Sequence, residues 1–460
     1  MKKELSFKQG IIPVIIMAIL IIMSVLVWKV PIHLALFLQL TVTILLALSW
    51  GFKWQEIETM LFSSFKNIGN VIIILLLIGM LIGVWIASGT VPSMIYYGLK
   101  VLNPRYFLVL SFVLTTFVSM AVGTAFGTAS TIGLALISIA QGVGLPLNVV
   151  SGAIISGSYI GDRMSPVSSI AIITAHSADV KVIEMIKHMV YTTIPPFILS
   201  FIIYLIMGWK IMPIKIEAEQ ITLLMGGLSE YFLISYWLLL PPIAIILLAV
   251  LRIPTILNLI INIFISMAFS LFVSGKGWVE LLNVMYTGMD MNTGIKVLDN
   301  ILARGGLMSM MEIVALIIFA VTLGGLMEEL GVLKSILGKM IKTIHNRGQL
   351  ILITMISSII SAMLGCNQFM AVYLPGKMMG SKFDEMRVPR KDLARALGDS
   401  GLIISPLIPW NLNALLMTGI LGVSTLSYLP YSFLPLLLPI SGVVLGFISK
   451  SKKVNKNENN

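Results

Sequence analysis

The stretch SGSYIGDRMSPVSS, residues 156–169, places an aspartate, an arginine and a Ser-Pro step inside an otherwise apolar part of the chain. A largely apolar run precedes it, and a run of Ile and Ala follows it. Charged side chains in such surroundings are costly unless they are paired or serve a function. A proline also interrupts a helix, because it lacks the backbone N–H that the helix needs. The stretch therefore predicts a broken helix with a polar interior.

The composition of the whole chain indicates the class of protein. Of the 460 residues, 58% are hydrophobic and 11% are charged, whereas soluble domains carry roughly 25% charged residues. Several apolar runs, among them 11–28, 32–50 and 232–251, approach or exceed the ~20 residues that a helix needs to cross a bilayer. The sequence therefore predicts an all-α polytopic membrane protein.

The positive charge of the chain indicates its orientation in the membrane and not a nucleic-acid partner. The formal net charge is +11, and the Lys and Arg residues gather near the two ends and between apolar runs, as they do in short cytoplasmic loops. We expect a multi-pass protein of the cell membrane, with both termini cytoplasmic. Expected partners are the lipid bilayer, a small ion or small organic solute, and a second copy of the chain in a homodimer.

An internal repeat divides the chain. The segments 81–99 and 322–340 share glycines in the same order, with Gly89 aligned to Gly331, and the Ser-Pro step of the opening stretch recurs at 405–406. Such duplication builds many helices conveniently, and it is also typical of secondary transporters, whose substrates bind at broken helices where the repeats meet. The predicted segments are 1–10 (cytoplasmic N-terminus), 11–208 (first transmembrane half), 209–230 (connecting loop), 231–449 (second half) and 450–460 (cytoplasmic polar tail).

Each half contains a first interrupted segment. In residues 121–133, glycines alternate with the hydroxyl groups of Thr124, Thr128 and Ser130. These groups predict either a site for an ion or a tight helix–helix contact through small residues. In the counterpart, Asn367 and Gln368 directly follow an apolar run. Buried amides are costly unless they are hydrogen-bonded, so that we expect a polar clamp or a ligand site.

Each half also contains a second interrupted segment, and the one in the second half carries an acid. Asp399 and Ser400 precede Ser405-Pro406 and Asn411. Prolines free backbone carbonyl groups, and these, with hydroxyl and amide oxygens, suit Na⁺. A buried carboxyl group can hold a proton or a cation in turn. The segment therefore predicts Asp399 as the exchangeable site for Na⁺ and H⁺.

The opening stretch is the counterpart of that segment. Asp162 is either functional or structural, since its neighbour Arg163 is a partner for an ion pair or part of a solvated loop. Ser165, Ser168 and Ser169 are expected to contribute oxygen atoms only. Elsewhere, the two glutamates at 328–329 are expected to be helix-end or loop residues.

Four blocks in this order resemble the NhaC-type sodium/proton antiporters, a family that also contains malate/lactate exchangers and amino-acid carriers. The blocks are GSYIGDRMSPVS (157–168), LDNILARGGLMSMMEIV (298–314), LGDSGLIISPLIPWN (397–411) and GVSTLSYLPYSFLPLLLPI (422–440). The resemblance implies about eleven or twelve transmembrane helices, with re-entrant or broken helices in two inverted repeats. It also places the family's acid on Asp399, surrounded by Ser400, Ser405, Pro406 and Asn411.

Two departures from the family pattern affect the predicted mechanism. Where the family carries an Asp after Ser-Pro-x-Ser, this chain has Ser169, and residues 365–368 lack the acidic form of the family. The predicted site is therefore less anionic. The leading interpretation is a secondary Na⁺/H⁺ antiporter without a cofactor, and the alternative is an H⁺- or Na⁺-coupled carrier of an organic acid or amino acid.

A hypothesis from another class is an intramembrane aspartyl protease that uses Asp162 and Asp399. Such enzymes carry Gly-x-Gly-Asp, but Ala-Leu-Gly precedes Asp399 here. The sequence contains no Walker A, HExxH or GxSxG motif, so ATP-driven transport and those hydrolytic mechanisms are not indicated. We therefore predict a secondary transporter and not an enzyme.

Overall fold

A computed structural model describes residues 5–448, except for 66–67, 102, 212–217, 273–274, 276, 290–292, 294–298, 300–301 and 303–304. Within these residues every regular element is a helix, as the composition predicts. Parts of the predicted segments 1–10, 209–230 and 298–314, and all of the predicted tail 450–460, lie outside the described residues.

The helices before residue 212 follow one another through short turns. They are α1 (Phe7–Ile22), α2 (Ile32–Ser49), α3 (Trp54–Phe65), α4 (Gly69–Ala87), α5 (Thr90–Val101), α6 (Pro104–Val122), α7 (Ala125–Thr128), α8 (Leu134–Gly142), α9 (Leu147–Met164), α10 (Ser169–Ser177) and α11 (Val182–Ile211). A π-helical turn, Ala129–Gly133, joins α7 to α8, so that one helix of 18 residues runs from Ala125 to Gly142.

The later helices continue to residue 448. They are α12 (Ala218–Tyr231), α13 (Leu240–Val250), α14 (Thr255–Phe272), α15 (Trp278–Thr287), α16 (Met311–Glu329), α17 (Val332–Ile341), α18 (Arg347–Leu364), α19 (Gln368–Glu385), α20 (Arg390–Leu397), α21 (Leu412–Leu421), α22 (Thr425–Tyr428) and α23 (Phe433–Ile448). A π-helical turn, Gly398–Leu402, extends α20, and the chain then bends by 49° before α21.

The lengths and composition of these helices agree with a polytopic membrane protein. In the described part of the chain, 8 helices are long and apolar enough to cross a membrane, and 11 if each of three bent pairs is one span. Large apolar side chains such as Phe117 (70% exposed) and Phe272 (87% exposed) lie on outer faces. Hydrocarbon chains of lipid would cover such faces, and the upper count reaches the lower end of the predicted number.

Two glycines that the repeat aligns have the same backbone conformation. Gly89 lies between α4 and α5 with a φ of 84°, and Gly331 lies between α16 and α17 with a φ of 81°. This left-handed region costs an L side chain free energy and costs glycine nothing. The matching turns support the aligned order of elements, whereas the division into two inverted halves stays a prediction.

Close packing of α6 against α9 positions the opening stretch. A Cβ atom on Gly161 would lie 2.0 Å from the carbonyl oxygen of Ser119, and one on Gly157 would lie 2.1 Å from Oγ1 of Thr115. The backbones therefore approach each other through glycines, as in membrane helices that associate through small residues. This contact fixes the end of α9, where Asp162 lies.

Candidate functional site

Two helix breaks in the interior have the same backbone form. In the first, Gly123 has a φ of 77° and Thr124 is extended, with a φ of −147°, before α7 begins. In the second, Cys366 has a φ of 54° and Asn367 is extended, with a φ of −150°, before α19 begins. Each break leaves the first N–H groups of the following helix without partners in that helix. Two helix starts are therefore open to an acceptor.

Asp162 lies at both of these helix starts. Its Oδ1 atom accepts a hydrogen bond of 2.9 Å from the backbone N–H of Ala125, the first residue of α7. Its Oδ2 atom accepts one of 3.0 Å from Nε2 of Gln368, the first residue of α19. The side chain is buried, and the positive ends of helices favour a negative charge. Asp162 thus connects the first interrupted segments of the two halves.

An amide chain continues from Gln368 to the second interrupted segment. The Oε1 atom of Gln368 accepts a hydrogen bond from Nδ2 of Asn413. Asn411 accepts from the backbone N–H of Asn413 at 3.0 Å and donates to the carbonyl group of Ala362 at 2.8 Å. Gln368 therefore forms a polar clamp, which is one of the two roles that the sequence predicts for it. Asn367 instead caps α19, since its side chain accepts from the N–H of Met370 at 2.9 Å.

A cavity of about 510 Å³ lies beside this amide chain. Asn367, Gln368 and Asn413 form one part of its wall, and Glu328 and Glu329 form another. The two glutamates end α16, as the sequence predicts, but their place at the cavity was not foreseen. Gln368 both lines the cavity and donates a hydrogen bond to Asp162, so that this residue connects the cavity wall to the carboxylate.

Asp399 has different surroundings, because two arginines bind it. It lies in the π-helical turn after α20 and is fully buried. Its Oδ1 atom accepts hydrogen bonds from Nη2 of Arg163 and, at 3.2 Å, from Oγ1 of Thr192. Its Oδ2 atom accepts one of 3.4 Å from Nη1 of Arg395. Arg163 therefore pairs with the acid of the other half, and the solvated loop that the sequence left open is excluded, since Arg163 is fully buried.

The ion pairs continue from Asp399 toward the surface. Arg395 lies 3.7 Å from Oδ1 of Asp392. Asp392 also binds Nε2 of His188 at 2.7 Å and Nη2 of Arg347 at 2.9 Å. Buried charges of this kind are retained only with partners. A Na⁺ ion at Asp399 would have to compete with the arginines that already neutralise it.

Most of the predicted hydroxyl ligands donate to nearby backbone carbonyl groups. Ser168 contacts the site directly, because its Oγ atom donates to the carbonyl group of Asp162 at 2.7 Å and accepts from the N–H of Ala171. Ser169 begins α10 and is exposed. The other hydroxyl bonds are Ser165 to Met120, Thr128 to Thr124, Ser130 to Phe126, Ser400 to Ala396 and Ser405 to Gly401. The carbonyl group of Pro406 accepts from the hydroxyl of Tyr428 at 2.7 Å.

Sequence reasoning missed three partners of Asp399, and it considered Arg163 only as a partner of Asp162. Arg395 lies four residues before it on one helix face, a spacing at which side chains meet, so a signal was available. Thr192 lies 207 residues away, and no local pattern indicates it.

Comparison with known proteins agrees with the resemblance. Residues 157–450 match the Na⁺/H⁺ antiporter family. The chain is 33% identical to the Na⁺/H⁺ antiporter NhaC of Bacillus subtilis, over 98% of this chain and 99% of that protein. It is 32% identical to the malate-2H⁺/Na⁺-lactate antiporter of Bacillus subtilis, over 93% and 91% of the two chains. It is 30% identical to the arginine/ornithine antiporter ArcD of Halobacterium salinarum, over 97% and 93%.

Proposed function

Because this chain belongs to the Na⁺/H⁺ antiporter family, we propose that it is a secondary antiporter that exchanges Na⁺ for H⁺ across the cell membrane. The single observation that carries the proposal is the position of Asp162 between two helix starts, one of which carries the cavity residue Gln368. Broken helices that meet at one polar group are the usual site of secondary transport.

Of the two buried acids, Asp162 has the surroundings of an exchange site. Its partners are an N–H group and an amide, which a cation can replace without meeting a fixed positive charge. Asp399 binds two arginines, and removal of such an acid leaves buried cations without partners. We propose that Asp162 exchanges the ion and that Asp399 holds Arg163 in place. The role of Asp399 as the exchanging acid stays a competing prediction.

The proposal also includes the cofactor requirement, the orientation in the membrane and the oligomeric state. The transported ions are the only small partners that the mechanism needs, so that no cofactor is proposed. Lys and Arg residues near both ends of the chain support cytoplasmic termini. A homodimer in the cell membrane is part of the proposal, and crosslinking in native membranes tests it.

Proton exchange in everted membrane vesicles tests the proposal. Respiration acidifies the vesicle interior, and added Na⁺ should collapse the gradient when the wild-type protein is present. Asp162→Asn should abolish this response while the protein remains in the membrane at wild-type amounts. If Asp162→Asn keeps the response and a well-folded Asp399→Asn variant loses it, the assignment passes to Asp399.

One observation favours a second candidate function, the coupled transport of an organic solute. The cavity of about 510 Å³ is far larger than a bare Na⁺ ion, and two relatives are named as antiporters of malate and lactate or of arginine and ornithine. The same vesicles should be tested with these four solutes. A gradient that collapses with one of them and not with Na⁺ or Li⁺ would replace the leading proposal.

A further inference from the structure

Two buried hydroxyl groups lie one helical turn before Asp162. They belong to Ser158 and Tyr159 of α9, and both residues have no exposed surface. In the described part of the chain neither hydroxyl oxygen has a hydrogen-bond partner. Residues three and four positions apart share a helix face, so that both side chains flank Asp162 on the same side of α9.

The described residues include several buried hydroxyl groups without partners, among them that of Ser151, two turns earlier on α9. A buried polar group without a partner costs free energy, and each such case needs an explanation such as an absent ion or water. On the same helix, Ser156 shows the ordinary arrangement, since its hydroxyl bonds to that of Tyr204 at 2.8 Å. Tyr204 in turn donates to the carbonyl group of Tyr431 at 2.7 Å. Of the three unpartnered hydroxyl groups on α9, those of Ser158 and Tyr159 lie within one turn of Asp162, whereas that of Ser151 does not.

The helix that carries Tyr159 contacts a helix of the other half of the sequence. Tyr159 lies three residues before Asp162 on α9, and α9 packs against α22, which carries Tyr428. The hydroxyl of Tyr428 donates to the carbonyl group of Pro406, in the interrupted segment that carries Asp399. The helix that carries Tyr159 and Asp162 therefore packs against a helix that binds this segment.

From these contacts we infer that the hydroxyl oxygens of Ser158 and Tyr159 are ligands of the transported cation when it is bound at Asp162. The inference rests on the proposed function and adds two residues to its site. Hard cations take oxygen ligands. Both hydroxyl groups are neutral, so that Asp162 supplies the one negative charge of the site and a monovalent cation balances it. The arrangement selects Na⁺ or Li⁺ over a divalent ion.

Tyr159→Phe tests this inference, because it removes the hydroxyl and keeps the ring. In proteoliposomes we expect the KM for Na⁺ to rise about tenfold or more, the range for a lost polar contact to a charged group. Without Na⁺, the purified variant should unfold at the same or a higher temperature than the wild type, since an unsatisfied group is gone. The rise in unfolding temperature that Na⁺ causes in the wild type should shrink.

A matched control is Tyr204→Phe, which removes a fully bonded hydroxyl on a neighbouring helix. It should unfold at a lower temperature and keep the wild-type KM for Na⁺. Ser158→Ala gives a second test if Tyr159→Phe fails to fold. A wild-type KM in both Tyr159→Phe and Ser158→Ala overturns the inference. Absence of Na⁺-dependent proton movement in the wild-type arm overturns the proposed function instead.

Discussion

Arg163 and Asp399 form a buried ion pair although they lie 236 residues apart in the chain. Each belongs to a broken segment, Arg163 to the end of α9 and Asp399 to the turn after α20. The pair therefore joins the two broken segments, and Arg163 is the sequence neighbour of Asp162. Its attraction offsets the cost of removing two charges from water, and loss of either partner leaves the other uncompensated.

Asp399→Asn should lower stability, because Arg163 and Arg395 would both lose a buried anion. Breaking a pair of this kind costs about 3–5 kcal/mol, which a fall in the thermal unfolding midpoint in detergent would show. Adding Arg163→Gln should recover part of the loss. If Asp399→Asn alone were as stable as the wild type, the ion pair would not be structural, and Asp399 would be favoured as the exchanging acid.

Gly161→Ala should separate α6 from α9, because its Cβ atom would lie 2.0 Å from the carbonyl oxygen of Ser119. Overpacking of this kind costs about 1–3 kcal/mol. Gly338→Ala in α17 is the matched control, since no atom lies within 4 Å of its added Cβ. That control should gain about 0.5–1 kcal/mol from better helix propensity. Equal unfolding midpoints for the two variants would contradict the described packing.

Cys366 adopts a left-handed conformation, with a φ of 54°, at the break before α19. Cys366→Gly should therefore keep expression and transport, whereas Cys366→Val should lose about 1–2 kcal/mol, because β-branched residues are strained in this region. The amount of folded transporter on size-exclusion chromatography measures both effects. Better folding of the Val variant than of the Gly variant would refute the assigned backbone conformation.

Ser169 lies at the exposed start of α10, at the position where the resemblance implies a second acid. Ser169→Asp should be tolerated, because the positive end of a helix favours a negative charge. We expect the KM for Na⁺ to fall about tenfold, equal to about 1.4 kcal/mol of added attraction. Ser169→Asn provides the uncharged control. The same KM in both variants would mean that this position does not sense the transported ion.

The segments that contain the breaks followed from the sequence. Residues 121–133 and the segment with Asn367 and Gln368 were predicted to be interrupted, and the structure has a helix break in each, at 123–124 and at 366–367. Short-range preferences decide such features: glycine permits a positive φ, and Asn accepts from the first N–H groups of a helix. The partners of the broken segments could not be predicted from the sequence. Arg163 follows Asp162 in the sequence, but its partner in the structure is Asp399.

Hydropathy, the order of the repeated motifs and the sites of helix interruption are properties of short stretches, and the sequence therefore established the class of protein and its broken helices. The choice between the two acids depends on contacts between residues 206 and 236 positions apart. Packing alone places Arg163 on Asp399 and two helix starts beside Asp162. The reason is physical, since burial makes each charge depend on the groups that folding brings near it.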